Sequence, residues 1–147
     1  RVLSITFADT TGGMGETDVE TALSRWRESN PDTKGIGFRA LSAGFRTRNP
    51  AMANLYLQIQ RSNPLRAESG GILYGGPRGK DLKNLIMPVQ FIVGEDDEIT
   101  PPHVLELASA HIEGSEVIIV PDCGHSVYFE KPGIFNFEVE KFIKGSG

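Results

Sequence analysis

Two stretches in the second half of the chain carry residues able to move protons. One is Gly94-Glu95-Asp96-Asp97-Glu98-Ile99-Thr100-Pro101, and the other is Pro121-Asp122-Cys123-Gly124-His125-Ser126. Histidine changes charge near neutral pH, and a carboxylate that accepts from one ring nitrogen leaves the other free to act as a base. Such a pair needs both loops at the same end of one scaffold, and the intervening sequence supplies it. The first loop closes a strand pattern, Val89-Gln90-Phe91-Ile92-Val93. Thr100-Pro101 reads as an N-cap followed by proline at the first helical position. Val104, Leu107, Ala108 and Ile112 then form an apolar helical stripe, and Glu116-Val117-Ile118-Ile119-Val120 reads as a second strand. Strand, helix, strand in that order implies parallel strands joined by a right-handed crossover. Loops at the carboxyl ends of neighbouring parallel strands lie together, and such sheets build their sites there.

The remaining elements fit round this unit. Val2 to Ala8 is a buried-strand pattern, closed by Asp9-Thr10-Thr11-Gly12-Gly13. It opens without an initiator Met or a polar lead-in, so the sequence is expected to start within something larger. Thr17-x-x-Glu20 is a capping box ahead of a helix with Val19, Ala22, Leu23 and Trp26 on one face. A weaker helical stretch spans 36–46, and Pro50 opens a helix carrying Met52, Leu55, Tyr56 and Ile59. Phe135, Val139, Phe142 and Ile143 mark a final helix. The expected fold is α/β, with three parallel strands, flanking helices and a helical insertion. Residues 1–10 and 86–147 form the core, and 11–85 the insertion.

Composition narrows the function. The 147 residues carry 15 Lys+Arg against 19 Asp+Glu, a net charge of −4, which offers no basic surplus for nucleic acid. No apolar run approaches membrane-spanning length, and a single cysteine excludes a disulfide framework or a multi-cysteine metal site. His103 and His111 read as helix-surface residues. No metal, nucleic-acid or membrane partner is expected, and the setting is read as cytoplasmic. Three short motifs fail their context tests. Gly35-x-Gly37-x-x-Ala40 lacks the preceding strand of a dinucleotide site. Gly75 to Lys80 is one residue short of a phosphate loop, and Asp81 stands where Ser or Thr belongs. Ala67-x-Ser69-x-Gly71 loosely resembles a nucleophile elbow, but the polar stretch 58–66, broken by Pro64, is not the buried strand an elbow requires.

Met87 to Pro101 resembles the acid-loop segment of the α/β-hydrolase superfamily. Pro121-Asp122-Cys123-Gly124-His125-Ser126-x-x-x-Glu130-x-Pro132 resembles its histidine loop, Arg1 to Asp9 is similar to its sixth strand, and the helical insertion is similar to its cap domain. The resemblance implies His125 as catalytic base and Asp97, three residues after Gly94, as the acid that orients it. Asp96 is the neighbouring alternative, and Asp9, at the end of the first strand, a lesser one. The family's nucleophile precedes the sixth strand, so the chain is expected to be the C-terminal half of such an enzyme, holding acid and base without nucleophile. No cofactor is implied.

Cys123, two residues before His125, lacks a setting that would lower its pKa and reads as loop packing. Glu130 reads as structural. Trp26, Phe38, Phe45, Met52 and Tyr56 could line a substrate pocket, and packing between cap helices explains each equally well. The expected activity is hydrolysis of an ester, lactone or related acyl substrate, with this chain inert by itself. The alternative is a non-catalytic α/β assembly or binding module that associates with itself or a partner subunit. The expected partners are an acyl substrate in the complete enzyme, and either a second copy, as a homodimer through residues 2–8, or the missing N-terminal half.

Overall fold

A computed structural model describes residues 2–62, 77–82 and 84–145. Ser69 and its surroundings, and Gly75-Gly76 of the phosphate-loop lookalike, lie outside the described residues. Three parallel strands, β1 (Ile5–Ala8), β2 (Val89–Gly94) and β3 (Glu116–Val120), form one sheet in the order β1-β2-β3. Ile5 lies opposite Val89, and Gln90 opposite Glu116. Every residue of β2 is buried, as a near-continuous apolar run in a central parallel strand should be. Its one polar side chain, Gln90, donates to Glu116 Oε1 at 3.0 Å. The first strand is shorter than the pattern 2–8 implied: Val2 and Leu3 lie outside it and are exposed.

The pleat sends alternate β2 side chains to opposite faces, and the packing follows. Val89, Phe91 and Val93 join Val19, Val104, Leu105 and Ala108, so α1 (Thr17–Ser29) and α6 (Pro102–Ala110) cover one face. Phe7 stacks on its register partner Phe91 with centroids 4.8 Å apart. Ile92 points the other way, into Val120, Cys123 and Val127, where Phe135 and Val139 of α8 (Pro132–Gly145) pack. Ile143, assigned to that helix's apolar stripe, is exposed.

A third core gathers Ala40, Leu41, Phe45, Ala53 and Tyr56 from α2 (Ile36–Arg39), α3 (Ala43–Arg48), α4 (Pro50–Arg61) and their connections. Fully burying a side chain such as Leu41 contributes roughly 1.5–3 kcal/mol. Ile99 from the loop after β2 and Phe129 from α7 (Val127–Glu130) pack into it, so this cluster sits at the carboxyl end of the strands. Stretch 11–85 therefore divides: α1 packs with the sheet, together with Leu82 of α5 (Gly79–Leu82), while α2 to α4 form the cluster over the strand ends.

Local chemistry departs from the sequence reading in three places. Glu16, not Thr17, is the N-cap of α1, and no side chain caps it. The Asp18 carboxylate accepts from Val19 instead. Pro101, not Thr100, is the N-cap position of α6, no side chain caps it, and the Thr100 N–H is held by Asp97. The stretch 36–46 breaks between α2 and α3, where the Ser42 hydroxyl accepts the Phe45 N–H and starts a new helix. No helix among the described residues is long and apolar enough to cross a membrane.

Candidate active site

The β2–β3 ladder runs on past the strand ends. Glu95 N–H donates to Val120 O at 2.9 Å and Asp96 N–H to Cys123 O at 2.8 Å, which lashes the acidic loop to the histidine loop. Gly94 is what permits this approach: a Cβ there would stand 2.1 Å from Gly124 O.

Asp97 turns inward at this point and Asp96 stays exposed. Asp97 Oδ1 accepts the N–H groups of Ile99 at 2.7 Å and Thr100 at 2.9 Å. That fixes the carboxylate and aims Oδ2 at His125 Nδ1, 2.8 Å away. The Asp97 side chain is fully buried and that of His125 is 26% exposed, so the pair has one dry end and one reachable end. Among the described residues His125 Nε2 has no hydrogen-bond partner. Burial pushes the His125 pKa down, but the hydrogen bond and charge of Asp97, with a smaller contribution from Asp9, outweigh it and leave it raised.

Asp9 is a second buried carboxyl at this site. It closes β1 in a left-handed conformation, φ 55°, and is 4% exposed. Oδ2 accepts the Val127 N–H at 3.4 Å, and Oδ1 has no partner among the described residues. Burial drives its pKa up to about 8. His125 and the N–H groups of Val127 and Gly94 pull it down, and Asp97 pushes it up. Asp9 and His125 share the walls of a cavity of about 190 Å³, along with Ile36, Gly37, Ala40, Tyr56, Gln60 and Tyr128.

Of the residues named as possible pocket lining, Tyr56 reaches this cavity, with its hydroxyl 2.7 Å from Ser126 Oγ. Phe38 borders a neighbouring groove with Leu57 and Gln60, its ring beneath the Arg46 guanidinium at 3.9 Å. Phe45 is buried in the α2–α4 core against Phe129. Trp26 donates from Nε1 to Glu98 O at 2.9 Å and meets His103 edge-on. Met52 is 44% exposed on the outer surface of α4. Cys123 is completely buried among Ile92, Val120 and Val127, and burial pushes its thiol to about 12. His111 pairs with Asp18 at 2.9 Å, away from the site. Gly37 and Ala40 entered the sequence analysis only in a motif that fails its context test, and Ile36, Gln60 and Tyr128 went unnamed there. Nothing local marks them, since the fold of α2 and α4 over the strand ends brings them together.

The sequence matches the family described as alpha/beta hydrolase fold over residues 18–132. It is 27% identical over 97 residues to pimeloyl-(acyl-carrier protein) methyl ester esterase of Nitrosospira multiformis, covering 65% of this chain and 36% of that protein. It is 32% identical over 84 residues to proline iminopeptidase PfmaB of Pestalotiopsis fici, covering 54% of this chain and 30% of that protein. Among solved structures, a thermophilic esterase from Thermogutta terrifontis superposes with a TM-score of 0.69 at 21% identity, over 99% of this chain and 57% of that one. The chain thus spans about a third of the length of these curated relatives and a little over half of the solved enzyme.

Proposed function

Because this chain belongs to the α/β-hydrolase fold family, we propose that it supplies the acid and base of a hydrolase acting on an ester, lactone or related acyl substrate. The observation that carries the reading is the 2.8 Å contact between Asp97 Oδ2 and His125 Nδ1, with Nε2 left unpartnered. On this reading His125 Nδ1–H donates to ionised Asp97, which fixes the tautomer with Nε2 as base. Nε2 takes the proton of an attacking hydroxyl, returns it to the leaving group, then activates water in the second half-reaction. Asp97 stays ionised throughout and stabilises the imidazolium. The nucleophile, on this reading, comes from outside this chain, so the 147 residues are inert towards acyl substrates by themselves. The similarity to a methyl ester esterase and a proline iminopeptidase supports the substrate class.

The test is hydrolysis of p-nitrophenyl acetate and butyrate by this chain and by a form extended at its N-terminus to the length of the relatives. The expected outcome is His125-dependent turnover and labelling by a fluorophosphonate probe in the extended form only. Turnover of the extended form that survives both His125→Ala and Asp97→Asn overturns the assignment. Turnover by the 147-residue chain that disappears in His125→Ala overturns its inertness.

A further inference from the structure

Both chain neighbours of His125 are tied to the α2–α4 cluster, one through Glu130 and one directly. On one side, the Gly124 N–H donates to Glu130 Oε1 at 3.1 Å. The same oxygen accepts the Ser42 N–H at 2.7 Å, and Oε2 accepts the Ser42 hydroxyl at 2.7 Å. Glu130 is buried, so its charge is met by three donors, two of them from a residue 88 positions away in sequence. On the other side, the Ser126 N–H donates to Ala40 O at 2.9 Å, and Ser126 Oγ lies 2.7 Å from the Tyr56 hydroxyl. The acid loop is held in the same manner. Glu98, next to Asp97, has its carbonyl bonded by the Trp26 indole N–H at 2.9 Å and by the Arg39 guanidinium, whose Nε is 3.6 Å from the Glu98 carboxylate.

We propose that the helices between β1 and β2 set the geometry of the Asp97–His125 pair, with Glu130 as the positioning residue that clamps the histidine loop to Ser42. The inference rests on the reading of His125 as the base. Two features make the clamp specific rather than generic packing. Gly124 leaves no room for slack: a Cβ there would meet Ser42 N at 2.5 Å and the backbone carbon of Leu41 at 2.9 Å. Ser42 is itself pinned, since its hydroxyl caps α3 by accepting the Phe45 N–H at 3.0 Å. A displacement of α3 therefore reaches Gly124 through one buried carboxylate. Glu130 does not touch the imidazole and acts only by placing the backbone that carries it. Bonds to a buried carboxylate are short and strong, and removing the acceptor leaves buried donors unmet, so the loop must then move to find other partners.

The test reads His125 directly by NMR in the 147-residue chain, through the Nδ1–H resonance and the imidazole titration, in wild type, Asp97→Asn, Glu130→Gln, Glu130→Ala and Ser42→Ala. Glu130→Ala and Ser42→Ala are expected to weaken the Nδ1–H signal and to lower the His125 titration by about half a pH unit. That is a fraction of the 1-to-3-unit effect of a close opposite charge. Asp97→Asn gives the full loss. Glu130→Gln keeps a carbonyl acceptor for Gly124 and Ser42 and should titrate close to wild type. If Glu130→Ala does not fold, Ser42→Ala decides, because it sits on α3's N-cap and touches neither Asp97 nor His125. A folded Ser42→Ala or Glu130→Ala variant with the wild-type His125 signal and titration overturns the proposal. The readout is separate from turnover. His125-independent hydrolysis with shifted His125 titrations in the clamp variants would sink the catalytic reading alone, and the converse would sink the clamp alone.

Discussion

Asp9→Asn should stabilise the folded chain, and by an amount that grows with pH. Asp9 is 4% exposed, its Oδ1 has no partner among the described residues, and its pKa is raised from 3.8 to about 8. A carboxyl whose folded pKa lies above its unfolded value contributes its stability in full below the unfolded value and loses it as pH rises through the folded value. The window therefore runs from about pH 4 to about pH 8. Each pH unit within it costs about 1.36 kcal/mol. Across the window that sets a ceiling of about 6 kcal/mol, and about 4 kcal/mol has accumulated by pH 7. Whole domains are stable by only about 5–15 kcal/mol, so the effect is large enough to read. Asn keeps the shape and the acceptor for Val127 and has no charge to lose. Urea unfolding followed by far-UV circular dichroism, for both proteins between pH 4 and pH 9, reads Asp9 in the difference, together with its coupling to His125. The larger part of the His125 pH dependence comes from Asp97 and is present in both proteins, and the smaller contribution of Asp9 is lost in the variant. The two stabilities should agree near pH 4 and diverge by several kcal/mol at pH 8. Parallel curves across the range, or a variant that is less stable at pH 8, would refute the reasoning.

The raised His125 pKa has a kinetic counterpart. In a form carrying a nucleophile, the acid limb of kcat/KM should fall above 6.5, since the base works only when neutral, and Asp97→Asn should move it down and lower kcat by about 10⁴-fold; a limb below 6.5 in the wild type would contradict the geometry. Cys123, fully buried with its thiol pushed to about 12, should resist Ellman's reagent in the folded chain and react only in denaturant; fast labelling without unfolding would show that the loop opens. Among the described residues β1 pairs on one side only, and a free edge without Lys or Pro to blunt it is a template for pairing; light scattering at tens of micromolar should find dimers, with residues 5–8 protected from exchange, and a monomer with fast-exchanging amides there would refute this.

The sequence by itself determined the type and order of the three strands and of α1, α4, α6 and α8. The apolar run 89–93, the stripe Val104-Leu107-Ala108-Ile112 and the run 116–120 carry the periods of strand, helix and strand, and those periods are properties of neighbouring residues. With the loop motifs round Asp97 and His125 they fixed the α/β class, and the parallel topology brought the two loops to one end of the sheet. What only the tertiary structure decided is where distant residues meet. The structure puts Asp97, and not the adjacent Asp96, against His125, because the N–H groups of Ile99 and Thr100 hold its other oxygen. It sends α1 to the sheet although α1 begins the stretch read as an insertion. It buries Asp9 with one oxygen unmet and gives Glu130 the task of tying Ser42 to Gly124. A carboxylate has the same local signature whether it is solvated, paired or stranded. Its role comes from desolvation and from donors brought across 88 residues of chain, and those exist only once the chain has folded.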